Sequence, residues 1–209
     1  MRVLIVDDHA IVRRGMISLL QEHFKGVEIG EAGDAKDGLE AVRREKWDLA
    51  VVDISMPGRG GLELIQDIKR ENSALPVLVV SSQPEEDYAL RALKSGAAGY
   101  VSKQSAPDIL VTAVQRVLSG RRFITATLAE RLAGALAGDS PVNSHETLSN
   151  RELQVLQLIA SGKTIKEISS DLALSEKTVA TYRSRISEKM GLSSNVDLTR
   201  YAIQNGLVN

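Results

Sequence analysis

Two hydrophobic patterns alternate through the first 120 residues. Apolar runs occur at RVLIVD (2–7), VEIGEA (27–32), LAVVD (49–53), PVLVVS (76–81) and AGYVSK (98–103). Runs this short and this rich in Val, Leu and Ile read as buried strands. Between them, apolar positions recur at helical spacing. Val12, Met16, Leu19 and Leu20 mark a helix within residues 9–24, and Asp34 followed by Asp37 opens another over 35–44. Further helices fit 61–71, 85–95 and 106–118. Regular alternation predicts an α/β fold, a doubly wound five-stranded parallel sheet covered on both faces by right-handed crossovers.

After Gly120 the pattern changes. ITATLAERLAGALAG (124–138) predicts one more helix, ended by Gly138, and DSPVNSHET (139–147) has the turn-forming mix of a linker. From Leu148 every segment is helical. Ser149, with Glu152 three residues on, opens the first helix as a capping box, and Leu153, Leu156 and Ile159 or Ala160 form its inward stripe. KEISSDLAL is a short second helix with Ile165, Ile168 and Leu172 apolar. SEKTVATYRSRISEKMG is a third, capped by Ser175 and stopped by Gly191, and NVDLTRYAIQNGL is the last. The chain therefore reads as a domain over 1–120, a linker helix and flexible linker over 121–147, and a small all-α domain over 148–209.

Composition narrows the function classes. With 43% hydrophobic and 25% charged residues and a formal net charge of −1, the 209-residue chain is that of an ordinary globular protein. It has no Cys, so disulfides and thiolate chemistry are excluded, and His9, His23 and His145 are too scattered for a clustered zinc site. No apolar run has membrane-spanning length, and Asp7 and Asp8 interrupt the N-terminal run too early for a signal peptide. A cytoplasmic location is the resulting expectation. Charge is slightly uneven: residues 149–209 carry eight Lys and Arg against six Asp and Glu, and residues 1–148 carry 18 against 21. That asymmetry alone would not identify a nucleic-acid binder.

Ligands of open α/β sheets bind beyond the carboxyl ends of the strands. The residues there are Asp7 and Asp8 after the first strand, Asp53 after the third, Ser81 after the fourth and Lys103 after the fifth. Taken singly, Asp8 caps a helix, Asp53 is a turn former, Ser81 enters a helix and Lys103 is a solvated charge. Taken together, three carboxylates at one place repel one another, and the usual remedies are protonation or a divalent cation. A hard cation such as Mg²⁺ suits two carboxylates, a backbone carbonyl and waters. Beside it, a carboxylate is able to attack phosphorus and form an acyl phosphate, while the lysine and the hydroxyl hold the transferring oxygens.

In the third tail helix, Ile186 and Met190 fall within about 20° of Val179 at about 100° per residue, so these three face inward. The opposite arc carries Lys177, Thr178, Thr181, Ser184, Arg185 and Glu188, with Lys189 at its edge. A short helix, a tight turn near Leu174 and an exposed second helix is the pattern of a helix-turn-helix. The plain alternative is a solvated face on a small bundle.

The segments VDD (6–8), VVDISMPGRGGLELI (51–65), VVSS (79–82) and GYVSK (99–103) resemble the receiver domain of two-component response regulators. LSNRELQVLQLIASGK, KEIS, LSEKTV, YRSRI and EKMGL resemble the LuxR-type DNA-binding domain of the NarL/FixJ group. The first resemblance implies sheet order 2-1-3-4-5, with Asp53 as phosphoacceptor from a sensor histidine kinase. It also implies Mg²⁺ held by Asp8, Asp53, the Ser55 carbonyl and, through water, Asp7. Ser81 and Lys103 would bind the phosphoryl oxygens, and Tyr100 would be the switch aromatic. The second resemblance implies contacts to double-stranded promoter DNA from Lys177, Thr178, Thr181, Ser184, Arg185 and Lys189. It also makes Val196, Ala202 and Ile203 a candidate homodimer surface, the alternative being that they pack on their own domain. The chain departs from these patterns at Gln104, where many receivers have proline, and at Ala180 and Tyr182 on the third tail helix. Two competing readings are a Mg²⁺-dependent phosphatase, for which Ser55 replaces the expected second acid, and a receiver whose helical tail binds only protein. The expectation for enzyme activity is none.

Overall fold

Strands whose side chains are almost all Val, Leu, Ile or Ala have no face to present to water, so they need cover on both sides. The computed structural model, which describes residues 1–58, 60–105, 107–137 and 144–208, meets that need. Five strands, β1 (Arg2–Val6), β2 (Glu28–Ala32), β3 (Leu49–Val52), β4 (Val77–Ser81) and β5 (Gly99–Ser102), form one sheet in the order β2-β1-β3-β4-β5. Every pairing is parallel. β3 and β4 are buried along their whole length, whereas the edge strand β2 keeps Glu28 and Glu31 exposed. The crossover helices are α1 (Ala10–His23), α2 (Ala35–Arg44), α3 (Gly61–Glu71), α4 (Glu85–Lys94) and α5 (Pro107–Leu118).

On one face Val3, Ile5, Leu49, Val51, Leu78 and Val80 pack against Met16 and Leu20 of α1 and Leu110, Ala113, Val114 and Val117 of α5. Each large aliphatic side chain buried there contributes about 1.5–3 kcal/mol from area removed from water. The register aligns the strand ends: Val6 pairs with Val52, and Ser81 with Ser102. The strands β1, β3, β4 and β5 therefore run out at the same end of the sheet, which is what brings their terminal polar residues together.

The chain separates into two compact units, Met1–Gly138 and Asp139–Asn209. In the first, Phe123 extends the sheet by a single parallel bridge to Gly99, with its amide donating to Ala98 O at 2.9 Å. Helix α6 (Ala126–Ala137) follows, its entry turn held by Thr125 Oγ1 accepting from the Leu128 amide at 3.2 Å. The expected stop at Gly138 and residues 139–143 of the expected linker lie outside the described residues. Residues 144–147, also expected in that linker, form a 3₁₀ turn.

The second unit contains α7 (Asn150–Ala160), α8 (Ile165–Leu172), α9 (Glu176–Met190) and α10 (Asn195–Gln204). Leu153, Leu156 and Ile159 pack with Ile168, Leu172, Val179, Ile186, Leu198 and Ala202 as its buried side chains. The Ser149–Glu152 capping box forms, and a second one, Thr164–Glu167, opens α8. Of the three apolar positions of α8, Ile168 and Leu172 are buried and Ile165, in its first turn, is 38% exposed. The two alternatives for α10 divide: Ala202 is fully buried and packs within its own domain, while Val196 and Ile203 stay 67% and 57% exposed. No helix among the described residues is long and apolar enough to cross a membrane.

Candidate functional site

Asp7 and Asp53 are the first residues beyond two adjacent strands. The Asp53 amide completes the ladder to Val6 O at 2.8 Å, and the Lys103 amide does the same to Ser81 O at 2.8 Å. Backbone pairing thus carries on for one residue past the apolar runs and sets each polar side chain at the sheet edge. Asp7, Asp53 and Ser81 are buried, with at most 1% exposure. Lys103 Nζ lies 2.6 Å from Asp53 Oδ2 and 2.7 Å from Asp7 Oδ2. Burial alone would push the Lys103 ammonium down, but the Asp53 and Asp7 carboxylates outweigh it and hold it above the ordinary lysine value. The lysine is therefore a fixed positive charge inside the pocket.

Ser55 and Ser81 face each other with hydroxyl oxygens 3.1 Å apart, and the Ser55 amide donates to Asp53 Oδ1 at 2.9 Å. Sequence reasoning assigned Ser55 only a backbone role, so its hydroxyl at the pocket is an addition. Gly61, the first residue of α3, explains how the loop after Asp53 passes so close to that helix. A Cβ there would overlap the Asp53 carbonyl oxygen and lie 2.6 Å from Ile54 Cα.

The acidic side of the pocket suits a divalent cation. One ligand atom from each of Asp7, Asp8, His9 and Asp53 fits within a mutual separation of 4.8 Å. Asp7 Oδ2 and Asp8 Oδ1 are buried atoms that accept no directed hydrogen bond, although Lys103 Nζ sits beside the former. Buried carboxylate oxygens without such bonds are what an octahedral Mg²⁺ site offers. Asp8 does not cap α1: the N-cap is His9, whose amide donates to Asp7 Oδ1 at 2.8 Å. His9 itself was not among the sequence candidates, and its only signal there was its place directly after two aspartates.

Tyr100 is 1% exposed, and its hydroxyl donates to Gln83 O at 2.6 Å. Burial pushes its phenol well above the ordinary tyrosine value. The Gln83 amide in turn donates to Ser81 Oγ at 3.2 Å, so Ser81, Gln83 and Tyr100 form one hydrogen-bonded chain. Two residues further on, Glu85 opens α4 and accepts a hydrogen bond from Thr125, just before α6.

In the second unit, α9 turns Val179, Ile186 and Met190 inward, as its periodicity predicts. Lys177, Thr181, Ser184 and Arg185 are exposed on the opposite side, and Thr178 is half-buried. Ser175 caps the helix, its hydroxyl oxygen accepting from the Thr178 amide at 3.1 Å and lying 2.8 Å from Thr178 Oγ1. Lys189 differs from the others because its Nζ is held 2.6 Å from Glu152 Oε2. The turn between α8 and α9 runs through Ala173 in the left-handed conformation, φ 51°, which is the one positive φ of a non-glycine among the described residues. Its amide and that of Leu174 close α8 by bonding Ser170 O and Ser169 O.

Comparison with known proteins follows this division. The family of response regulator receiver domains matches residues 3–115, and the LuxR family of bacterial regulatory proteins matches 146–202. Response regulator UvrY of Escherichia coli K12 is 37% identical over 209 residues, covering 99% of this chain and 95% of UvrY. Response regulator GacA of Pseudomonas aeruginosa is 37% identical over 213 residues, covering 100% and 98%. RcsB from Salmonella enterica serovar Typhimurium, solved bound to promoter rprA with phosphomimetic BeF3⁻, is similar with a TM-score of 0.68 at 28% identity, covering 96% and 98%. An acidic pocket at the sheet edge, a helix-turn-helix unit and relatives matched along nearly their full length agree: this chain belongs to the response regulators of the NarL/FixJ type, a receiver domain joined to a LuxR-type DNA-binding domain.

Proposed function

We propose that Asp53 accepts a phosphoryl group from a sensor histidine kinase and that this modification switches DNA binding by the second unit, and so transcription. The observation that carries the reading is the Lys103 ammonium 2.6 Å from a carboxylate that is 1% exposed at a strand end. In the transfer, an Asp53 carboxylate oxygen forms a bond to phosphorus as the phosphorus–nitrogen bond of phosphohistidine breaks, and the departing imidazole nitrogen takes up a proton. Lys103 lies ready to turn from the carboxylate to the incoming phosphoryl oxygens. Ser81 offers them a hydroxyl, and the Ser55 amide keeps Asp53 oriented. Asp8, Asp53 and the Ser55 carbonyl, with Asp7 through water, would hold Mg²⁺, which supplies neutralising charge on the transferring oxygens.

Reorientation of Ser81 toward a phosphoryl group releases the Gln83 amide, which disturbs the bond between Tyr100 and Gln83 and the start of α4. The proposed consequence is a receiver surface that favours a homodimer, with Val196 and Ile203 as exposed apolar positions on α10 for the DNA-bound pair. Lys177 and Arg185 neutralise DNA phosphates, Thr178, Thr181 and Ser184 approach base edges or backbone, and Lys189 acts at the edge of the contact. RcsB bound to promoter DNA supports this reading by similarity. The chain acts in the cytoplasm, where kinase and promoter meet, and turns over no substrate of its own.

The test exposes the purified protein to a small phosphoryl donor with Mg²⁺ and captures fragmented genomic DNA. A mass increase of one phosphoryl group, and DNA enrichment that depends on the donor, are expected for the native chain and absent for Asp53→Asn. Phosphorylation of Asp53→Asn at the native rate would overturn the assignment.

A further inference from the structure

The contact between His9 and Asp8 is close without being a hydrogen bond. His9 Nδ1 lies 2.9 Å from Asp8 Oδ1, yet that oxygen is a buried atom with no hydrogen-bond partner of acceptable geometry. A ring nitrogen and a carboxylate oxygen at this separation, but not aligned donor to acceptor, sit side by side. Two ligands in adjacent positions of an octahedral ion, each about 2.1 Å from it, stand about 3.0 Å apart. The same four-residue group brings Asp7 and Asp53 within 4.8 Å, and Asp7, with no exposed side-chain surface, turns its Oδ2 to Lys103 Nζ at 2.7 Å, which leaves Asp8 Oδ1 as the unpartnered buried carboxylate oxygen of the group. The His9 amide bonds Asp7 Oδ1 at 2.8 Å, which ties the imidazole-bearing residue to the pocket wall.

We infer that His9 is an additional, nitrogen-donating ligand of the acidic pocket, so that the site takes divalent transition ions such as Mn²⁺ through imidazole as well as carboxylate. This rests on the proposed cation site of Asp7, Asp8 and Asp53 and adds a donor of a different chemical class. Oxygen donors alone favour Mg²⁺ and leave selectivity to size, whereas one imidazole shifts preference toward ions that accept nitrogen. His9 is also 61% exposed at its side chain, so its replacement removes a donor without opening the core.

The experiment uses the full chain with Mn²⁺ as the probe. Loss of the free-ion electron paramagnetic resonance signal gives the affinity, and electron spin-echo modulation reports nitrogen bound to the ion. The native protein is expected to show ¹⁴N modulation that disappears in His9→Gln, with Mn²⁺ affinity falling roughly tenfold and Mg²⁺ affinity, measured by competition, nearly unchanged. Asp8→Asn should abolish binding of both ions. Mn²⁺ bound tightly by the native chain with no nitrogen modulation overturns the role of His9 and leaves the carboxylate site standing. No Mn²⁺ binding by the native chain, or equal binding by Asp8→Asn, overturns the cation site and this inference with it.

Discussion

A single hydrogen atom in place of a side chain sets how closely Asp53 approaches α3. At Gly61 a Cβ would overlap the Asp53 carbonyl and crowd Ile54, both of them backbone and neither able to swing aside. Gly61→Ala is expected to cost about 1–3 kcal/mol, as over-packing against fixed backbone does. It should also slow phosphorylation, because the phosphoacceptor moves with its loop. Urea unfolding followed through Trp47, which belongs to the same unit, reads the first effect, and the time course of mass increase reads the second. Asp53, Ser81 and Lys103 were all legible as chemistry because each ends an apolar run. Gly61 was visible only as the first residue of an expected helix, since the distance from a glycine to a carbonyl is not written in sequence.

Among the helices, α7 and α9 are joined by a charge pair with a pH signature. Glu152 serves twice: its carboxylate accepts from the Ser149 amide at 2.7 Å and from Lys189 at 2.6 Å. Burial alone would raise its carboxyl, yet Lys189 and the Ser149 backbone outweigh that and hold it below its ordinary value of 4.5. A carboxyl depressed on folding adds stability above its unfolded value and loses it as pH falls through its folded value. The second unit should therefore weaken as pH drops below about 4.5. In Glu152→Gln that part of the pH dependence should vanish and stability at neutral pH should be lower. Hydrogen exchange of the α7 and α9 amides would measure this for the one unit. The capping box was evident from the spacing of Ser149 and Glu152. The partner, Lys189, was not, because it lies 37 residues away and stood in the sequence as a surface cation.

For the molecule as a whole, the expected behaviour is DNA binding set by charge on one helix and gated from another domain. Lys177→Ala or Arg185→Ala should each lower the slope of log affinity against log salt by about one. Lys189→Ala should reduce it less, because that ammonium already neutralises Glu152, and it should loosen the α7–α9 pairing. Binding isotherms across a salt series on one captured fragment decide this; equal slopes for all three variants would show that these cations face water and not phosphate.

The alternation of apolar runs with helical periodicity was sufficient, from sequence alone, for a parallel doubly wound sheet followed by a helical domain. Both patterns arise from local geometry, period two or unbroken for strands and 3.6 for helices, and so they survive in one dimension. Resemblance supplied the strand order, and the structure has it. Long-range packing decided the rest. It sent Ala202 inward while leaving Val196 and Ile203 in water, and it gave the turn between α8 and α9 a left-handed alanine where glycine is usual. It also set His9 beside Asp8 without a hydrogen bond between them. These outcomes depend on distances between atoms far apart in the chain or on angles within a turn, and neither quantity is carried by the order of residue types.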